Sequence, residues 1–215
     1  MVTKICSSRW CFLAFSIVMY ASNVAANEPY DTRDGQWRTY GGDLNSTRHS
    51  ALSQINAENF NELEIAWTFR PDNLGPIPDP RLQATPLMVD GVLYLTAGSR
   101  RAAVALDARS GELLWKFNIN EGERGQMAPR AGSGRGLSYW TDGNEKRIIF
   151  VTPGYQMVAL DADSGVPIQS FGENGVVDLK KGLGQEILPT ADIGLHATPL
   201  VVGDTIVVGS AHLPS

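Results

Sequence analysis

The sequence predicts an all-β chain built from repeated antiparallel hairpins, and three observations carry that expectation. "ALDARSG" at residues 105 to 111 returns 54 residues later as "ALDADSG" at 159 to 165. "ATPLMVDGVLYL" at 84 to 95 returns 113 residues later as "ATPLVVGDTIVV" at 197 to 208, close to twice the first spacing. No convincing helical stretch lies among the repeats. Four-stranded antiparallel units recurring every 50 to 60 residues are what a β-propeller requires, and about three such blades fit between residues 67 and 215.

Taken in order, residues 1 to 26 read as a secretory signal. Lys4 and Arg9 form the basic end, residues 10 to 21 are uncharged, and Val24, Ala25 and Ala26 offer small residues for cleavage. The apolar run is short for a membrane span. Both cysteines, Cys6 and Cys11, fall inside the signal, so the exported chain is expected to lack disulfides, thiolate ligands and covalent haem. The expected location is periplasmic, with membrane association open. Residues 27 to 66 lead into the first blade.

Unit one opens with Pro86 at a strand start, where a missing N–H is tolerated, and turns at Val89-Asp90-Gly91. Residues 104 to 106 end a third strand, and Leu113, Leu114, Trp115 and Phe117 resume in a fourth. Between them Asp107 is placed to accept the turn amides near Ser110, and Gly111 supplies positive φ. Unit two repeats this with Asp161, Ser164 and Gly165, and puts Phe171 where an aromatic is wanted. Its first strands, "GLSYW" and "RIIFVTPG", echo less clearly. Unit three stops in mid-blade at "GSAHLPS".

A formal charge of −5 argues against a nucleic-acid partner. The repeat itself says where a ligand sits. Gln83 and His196 both stand three residues before the strand-opening Pro, and Arg135 occupies the corresponding region of unit two. Equivalent positions in successive blades of a propeller face one central channel. Thr96 and Gly98, Thr152 and Gly154, and Ser210 and Ala211 end the second strands with small or hydroxyl residues expected on the same face. Together they suggest a flat polar ligand. Each has a plainer reading: Arg135 as a surface arginine like Arg124 and Arg130, Gln83 as a turn cap, His196 as packing, Ser210 as a strand end.

The stretch "QWRTYGGDLNSTRHSALSQINAENFNELEIAWTF", residues 36 to 69, resembles the opening of mature quinoprotein dehydrogenases, eight-bladed propeller enzymes that use pyrroloquinoline quinone (PQQ). Trp37, Tyr40, Gly41, Gly42, Arg48, Gln54, Asn56, Ala66 and Trp67 fall on that pattern. "RLQATPLMVDGVLYLTA", "GRGLSYW" and "VALDADSG" continue it in order, to about residue 212. The resemblance implies that Arg135 is the arginine that hydrogen-bonds the quinone. It aligns Gln83 with a polar cofactor contact, and His196 and Ser210 with or beside further contacts, although a small hydroxyl residue is more usual at the His196 position.

The alcohol-oxidising members carry adjacent cysteines just before that arginine. Here the segment is "APRAGSGR", which moves the resemblance toward the membrane-associated glucose dehydrogenase branch. The family needs roughly three times this length, so the chain resembles an N-terminal fragment, expected to be poorly stable and inactive alone, with the strand near Trp67 belonging to the last blade. The intact enzyme implied would oxidise a sugar or other alcohol. Calcium would polarise the quinone carbonyl, an Asp base would take the hydroxyl proton, and electrons would pass to a membrane quinone or cytochrome. The metal ligands and that base are expected downstream. The alternative is a cofactor-free propeller scaffold of the outer-membrane assembly type, which would lack the "WRTYGGDLNSTRHS" opening and need no channel arginine.

Overall fold

Alternating apolar segments punctuated by Gly-containing turns give strands, and the computed structural model pairs them into three antiparallel sheets. It describes residues 30–212 apart from 73, 76–78 and 80, so the signal segment and both cysteines lie outside the described residues. The first blade holds β1 (Leu87–Val89), β2 (Val92–Ala97), β3 (Ala102–Asp107) and β4 (Leu113–Phe117) in sequential order. The second holds β5 (Ser138–Thr141), β6 (Lys146–Val151), β7 (Gln156–Asp161) and β8 (Val176–Asp178). β9 (Leu200–Val202) and β10 (Thr205–Val207) begin a third. The Ala-Thr-Pro-Leu segments thus lead into β1 and β9, the equivalent first strands of their units.

The turns form as their residues require. Asp90 and Gly91, at φ of 50° and 85°, close the two-residue β1–β2 hairpin. The Asp107 carboxylate accepts the amides of Arg109 (3.0 Å) and Ser110 (2.7 Å), and Asp161 accepts that of Ser164 (2.8 Å). Unit two departs from unit one after that turn. Pro167 cannot donate to the ladder, and the chain makes an isolated bridge from Pro167 to Leu160 before β8 resumes at Val176. Phe171 therefore sits in a turn rather than a strand, packed against the cluster of Ile149, Val151 and Met157. A single helical turn, α1 (Glu123–Gln126), interrupts the connection to β5, where no helix was expected.

Both faces of the central strands are buried because blades stack face to face. Ala103 and Ala105 of β3 pack with Tyr94 and Trp115 against Leu137, Ile148, Phe150 and Val158 of the second blade. Their period-two neighbours Ala102, Val104 and Leu106 join Leu74, Leu95, Trp67 and Phe69 on the opposite face.

The repeated phrase has a second job in this stacking. Trp115 donates its indole N–H to the Ala162 carbonyl (2.8 Å), and its ring lies over Gly165, where a Cβ would stand 2.6 Å from Cδ2. Trp67 does the same one unit earlier, with its N–H on Ala108 (3.2 Å) and its ring 2.5 Å from a Cβ at Gly111. Residues 63 to 69 carry no strand of their own. Each "ALDAxSG" turn is the seat for a tryptophan from the preceding segment. The N-terminal segment closes the inner edge: Trp37 and Met88 of β1 exchange backbone hydrogen bonds at 2.8 and 3.0 Å.

Gly165 has φ of 71°, and Gly182 has φ of 77° with open space around it. Gly165→Ala is predicted to lower unfolding stability by about 2–4 kcal/mol, combining left-handed strain with overpacking, and Gly182→Ala by about 1 kcal/mol from strain alone. Urea unfolding of the two variants measures the difference; equal losses would mean that the indole seat contributes nothing.

Candidate functional site

Three backbone strands meet where the first strands of the units begin. The amide of Thr85 donates to the Arg135 carbonyl (2.9 Å), and the amide of Arg135 donates to the His196 carbonyl (3.0 Å). Side chains complete the junction: His196 Nε2 lies 2.7 Å from Gln83 Oε1, across 113 residues of sequence. Gln83, Arg135, His196 and Ser210, the four positions singled out from the repeat, all line one cavity of about 900 Å³. The equivalence of these positions in the sequence is thus an adjacency in space.

The cavity is cationic. Among the described residues, Arg81, Arg130 and Arg135 line it with one carboxylate, Asp79. Burial raises the Asp79 pKa, but the Ser133 and Arg81 amides, at 2.7 and 3.0 Å, outweigh it and hold the group below the ordinary carboxylate range. Asp79 is thus already engaged. Among the described residues the Arg135 guanidinium makes one hydrogen bond, a long one of 3.4 Å to the Tyr40 hydroxyl, and the residue lines the cavity. Tyr40 belongs to the N-terminal segment, and Arg48 stacks over its ring at 5.1 Å. The hydrogen bond from Arg135, followed by that from Arg48, lowers the Tyr40 pKa.

With Gln83 presenting its carbonyl oxygen, His196 Nε2 carries the proton and Nδ1 is left as an acceptor, buried and without a partner among the described residues. Desolvation lowers the imidazole pKa below 6.5, and the Arg101, Arg135 and Arg130 charges lower it further, against a smaller opposing effect of Asp79.

Several residues do other work than expected. Thr96 and Thr152 are fully buried and do not face the cavity. Thr152 donates to Glu121 Oε1 (2.7 Å) and accepts the Gln156 amide (3.0 Å), tying a loop to a hairpin. Gly98 and Gly154 are small because of packing: a Cβ would stand 2.1 Å from the Leu74 carbonyl at one and 2.5 Å from Glu121 at the other. Arg124 is not a free surface arginine; it pairs with Asp178 (2.9 and 2.5 Å) and donates to the Gly154 carbonyl (2.7 Å).

Sequence reasoning missed Arg101, buried beneath the cavity on main-chain carbonyls. No pattern flagged it, because its partners lie 29 to 94 residues away. Among the described residues, no three of His, Cys, Asp and Glu sit together as a metal site, and no helix is long and apolar enough to cross a membrane.

The family model "PQQ: Glucose/ethanol/alcohol dehydrogenase, beta-propeller domain" matches residues 37–215. The large subunit of glycerol dehydrogenase from Gluconobacter oxydans is 27% identical over 86% of this chain and 26% of its own length. Quinate/shikimate dehydrogenase (quinone) from Acinetobacter baylyi is 30% identical over 81% of this chain and 24% of its own, and quinoprotein glucose dehydrogenase from Escherichia coli 29% identical over 83% and 24%. Among solved structures, the quinohemoprotein alcohol dehydrogenase ADHIIG of Pseudomonas putida HK5 superposes with a TM-score of 0.65 at 26% identity, covering 88% of this chain and 24% of that one. That of Comamonas testosteroni gives 0.62 at 25% identity, covering 82% and 23%. The chain spans about a quarter of the length of the curated relatives it matches.

Because the folded imidazole binds its proton more weakly than the unfolded one, stability is full above the unfolded pKa of 6.5 and falls as pH drops through the lower folded value. The His196 resonance is predicted to titrate below 6.5, and replacing Arg135 by Gln to move the midpoint up. A wild-type midpoint at or above 6.5 would contradict this electrostatic picture.

Proposed function

Because the chain belongs to the PQQ glucose/ethanol/alcohol dehydrogenase β-propeller family, we propose that its hub cavity is part of the cofactor cradle of a quinoprotein dehydrogenase acting on a sugar or other alcohol. One observation carries the reading: Gln83, Arg135, His196 and Ser210, from three successive units, line a single cavity in which guanidinium groups outnumber carboxylates. PQQ is a flat tricarboxylate, and this donor set suits it. Arg135 offers paired N–H donors at fixed charge to a carboxylate. The Gln83 amide and the Ser210 hydroxyl offer further polar contacts at the rim.

When bound, the quinone supplies the two-electron acceptor chemistry. This chain's residues would bind and orient it: Arg135 would hold a carboxylate, Tyr40 steadies Arg135, and the Gln83–His196 pair lines the same cavity. A divalent ion such as calcium, and the base that takes the substrate proton, would be held by carboxylates outside the described residues. Absence of cysteine in "APRAGSGR" supports a glucose-type enzyme, consistent with the likeness to quinoprotein glucose dehydrogenase. Electrons would leave to a membrane quinone or a cytochrome. The basic and apolar character of residues 1 to 26 supports export to the periplasm. Family membership favours this enzyme over an assembly scaffold.

Absorbance titration of the complete polypeptide with PQQ is predicted to give binding that Arg135→Ala weakens roughly 10- to 100-fold, the loss of a charge-assisted hydrogen bond. Equal affinity in the variant would remove Arg135 from the cradle. Purified residues 27 to 215, given PQQ and calcium, are predicted to show no turnover; measurable sugar oxidation would contradict this.

A further inference from the structure

Arg101 lies at the turn between β2 and β3, in the left-handed region at φ of 54°, and is 2% exposed. Its guanidinium meets four main-chain carbonyls. Nη1 donates to Val151 (2.9 Å) and Leu195 (2.7 Å), Nη2 to Arg130 (2.8 Å) and Nε to Gly132 (3.2 Å). These acceptors belong to the end of β6, to the residue before His196 and to the loop that leads into Arg135. A lysine has the charge but not the flat fork that reaches four separated carbonyls. Gly134 lies flat on the group, since a Cβ there would stand 2.8 Å from Nε.

Among the described residues, no carboxylate hydrogen-bonds this guanidinium. Asp79 and Glu121 act on it only through space, and each is engaged elsewhere, Asp79 by Ser133 and Glu121 by Thr152 and Gly154. Neutral carbonyls satisfy its hydrogen bonds but do not cancel its charge, and the through-space pull of Glu121 and Asp79 does not offset the cost of burying it. Burial lowers the Arg101 pKa to about 10, so it stays charged at neutral pH. The cavity immediately above is where a counter-charge can come from.

Resting on the functional reading above, we propose that Arg101 is the positioning residue of the cradle: its fork fixes the backbone that aims Arg135 and His196, and its charge is balanced when an anionic cofactor fills the cavity. It does not touch the cofactor itself. Ligand affinity should then depend on a residue outside the binding surface.

The test uses the complete polypeptide with PQQ as the probe. Arg101→Gln is expected to raise the dissociation constant at least roughly tenfold, and Arg101→Lys, keeping charge but losing the fork, by a smaller factor. Dissociation constants within about twofold of wild type in both variants, with only a lowered melting temperature, would overturn the proposal and leave Arg101 a structural clamp. Should Arg101→Gln not fold, Arg101→Lys decides by the same criterion. In wild-type protein, PQQ is also expected to slow hydrogen exchange at the Arg101 Nε–H; unchanged exchange would overturn the coupling.

One readout is independent of PQQ. The charged groups acting on His196 are Arg101, Arg135, Arg130 and Asp79, with Gln83 as its hydrogen-bond partner. In the ligand-free protein Arg101→Lys, which keeps the charge and loses the fork, should still shift the His196 titration midpoint, and an unmoved midpoint would refute the positioning role. Wild-type protein that takes up no PQQ would refute the functional reading instead, leaving this midpoint to judge Arg101.

Discussion

Two backbone hydrogen bonds, Thr85 to Arg135 and Arg135 to His196, hold together everything that gives this molecule a site. They join the entries of three units at the hub, where each chain segment has just left a connecting loop and has not yet begun its first strand. Without them Gln83, Arg135 and His196 would be three polar residues on three loops. With them the side chains share one cavity, and charge follows from geometry: arginines spaced along the sequence stand around a common space with a single carboxylate that is already engaged.

Stacking at the periphery makes the hub bonds possible. A blade is a thin sheet with two apolar faces, each of which must be buried against another layer. The tryptophan seats set the relative position of neighbouring blades by a hydrogen bond and a ring contact that tolerate only glycine below them. The Trp115 contact lies at the outer strand of the first blade, and the hub bonds lie at the entries of the inner strands, so that blade is fixed at both ends. Arg101 adds a third tie, between turn, loop and hub.

Much of this was legible in the residues. The Asp-x-x-Ser-Gly turns were readable because the whole device is local: an Asp carboxylate, two or three amides and a glycine within five residues. The convergence of Gln83 and His196 was readable because repetition converts sequence distance into equivalent position. Interactions whose partners are carbonyls were not readable, since a main-chain acceptor leaves no mark on residue identity; Arg101 escaped for that reason. The strand-end threonines misled because a small hydroxyl residue suits a ligand face and a tightly packed interior equally well, and at Thr152 the interior partner Glu121 comes from a loop without repeat structure. Phe171 misled because Pro167, two positions after the repeated glycine, breaks the strand that the aromatic spacing implied.

An experimental structure of the complete polypeptide with PQQ tests the central claim most directly. The cofactor should lie in the cavity bounded by Gln83, Arg135, His196 and Ser210, with an Arg135 nitrogen about 2.7–2.9 Å from a cofactor carboxylate oxygen. A cofactor bound elsewhere, or Gln83 and His196 found on separate surfaces, would contradict it.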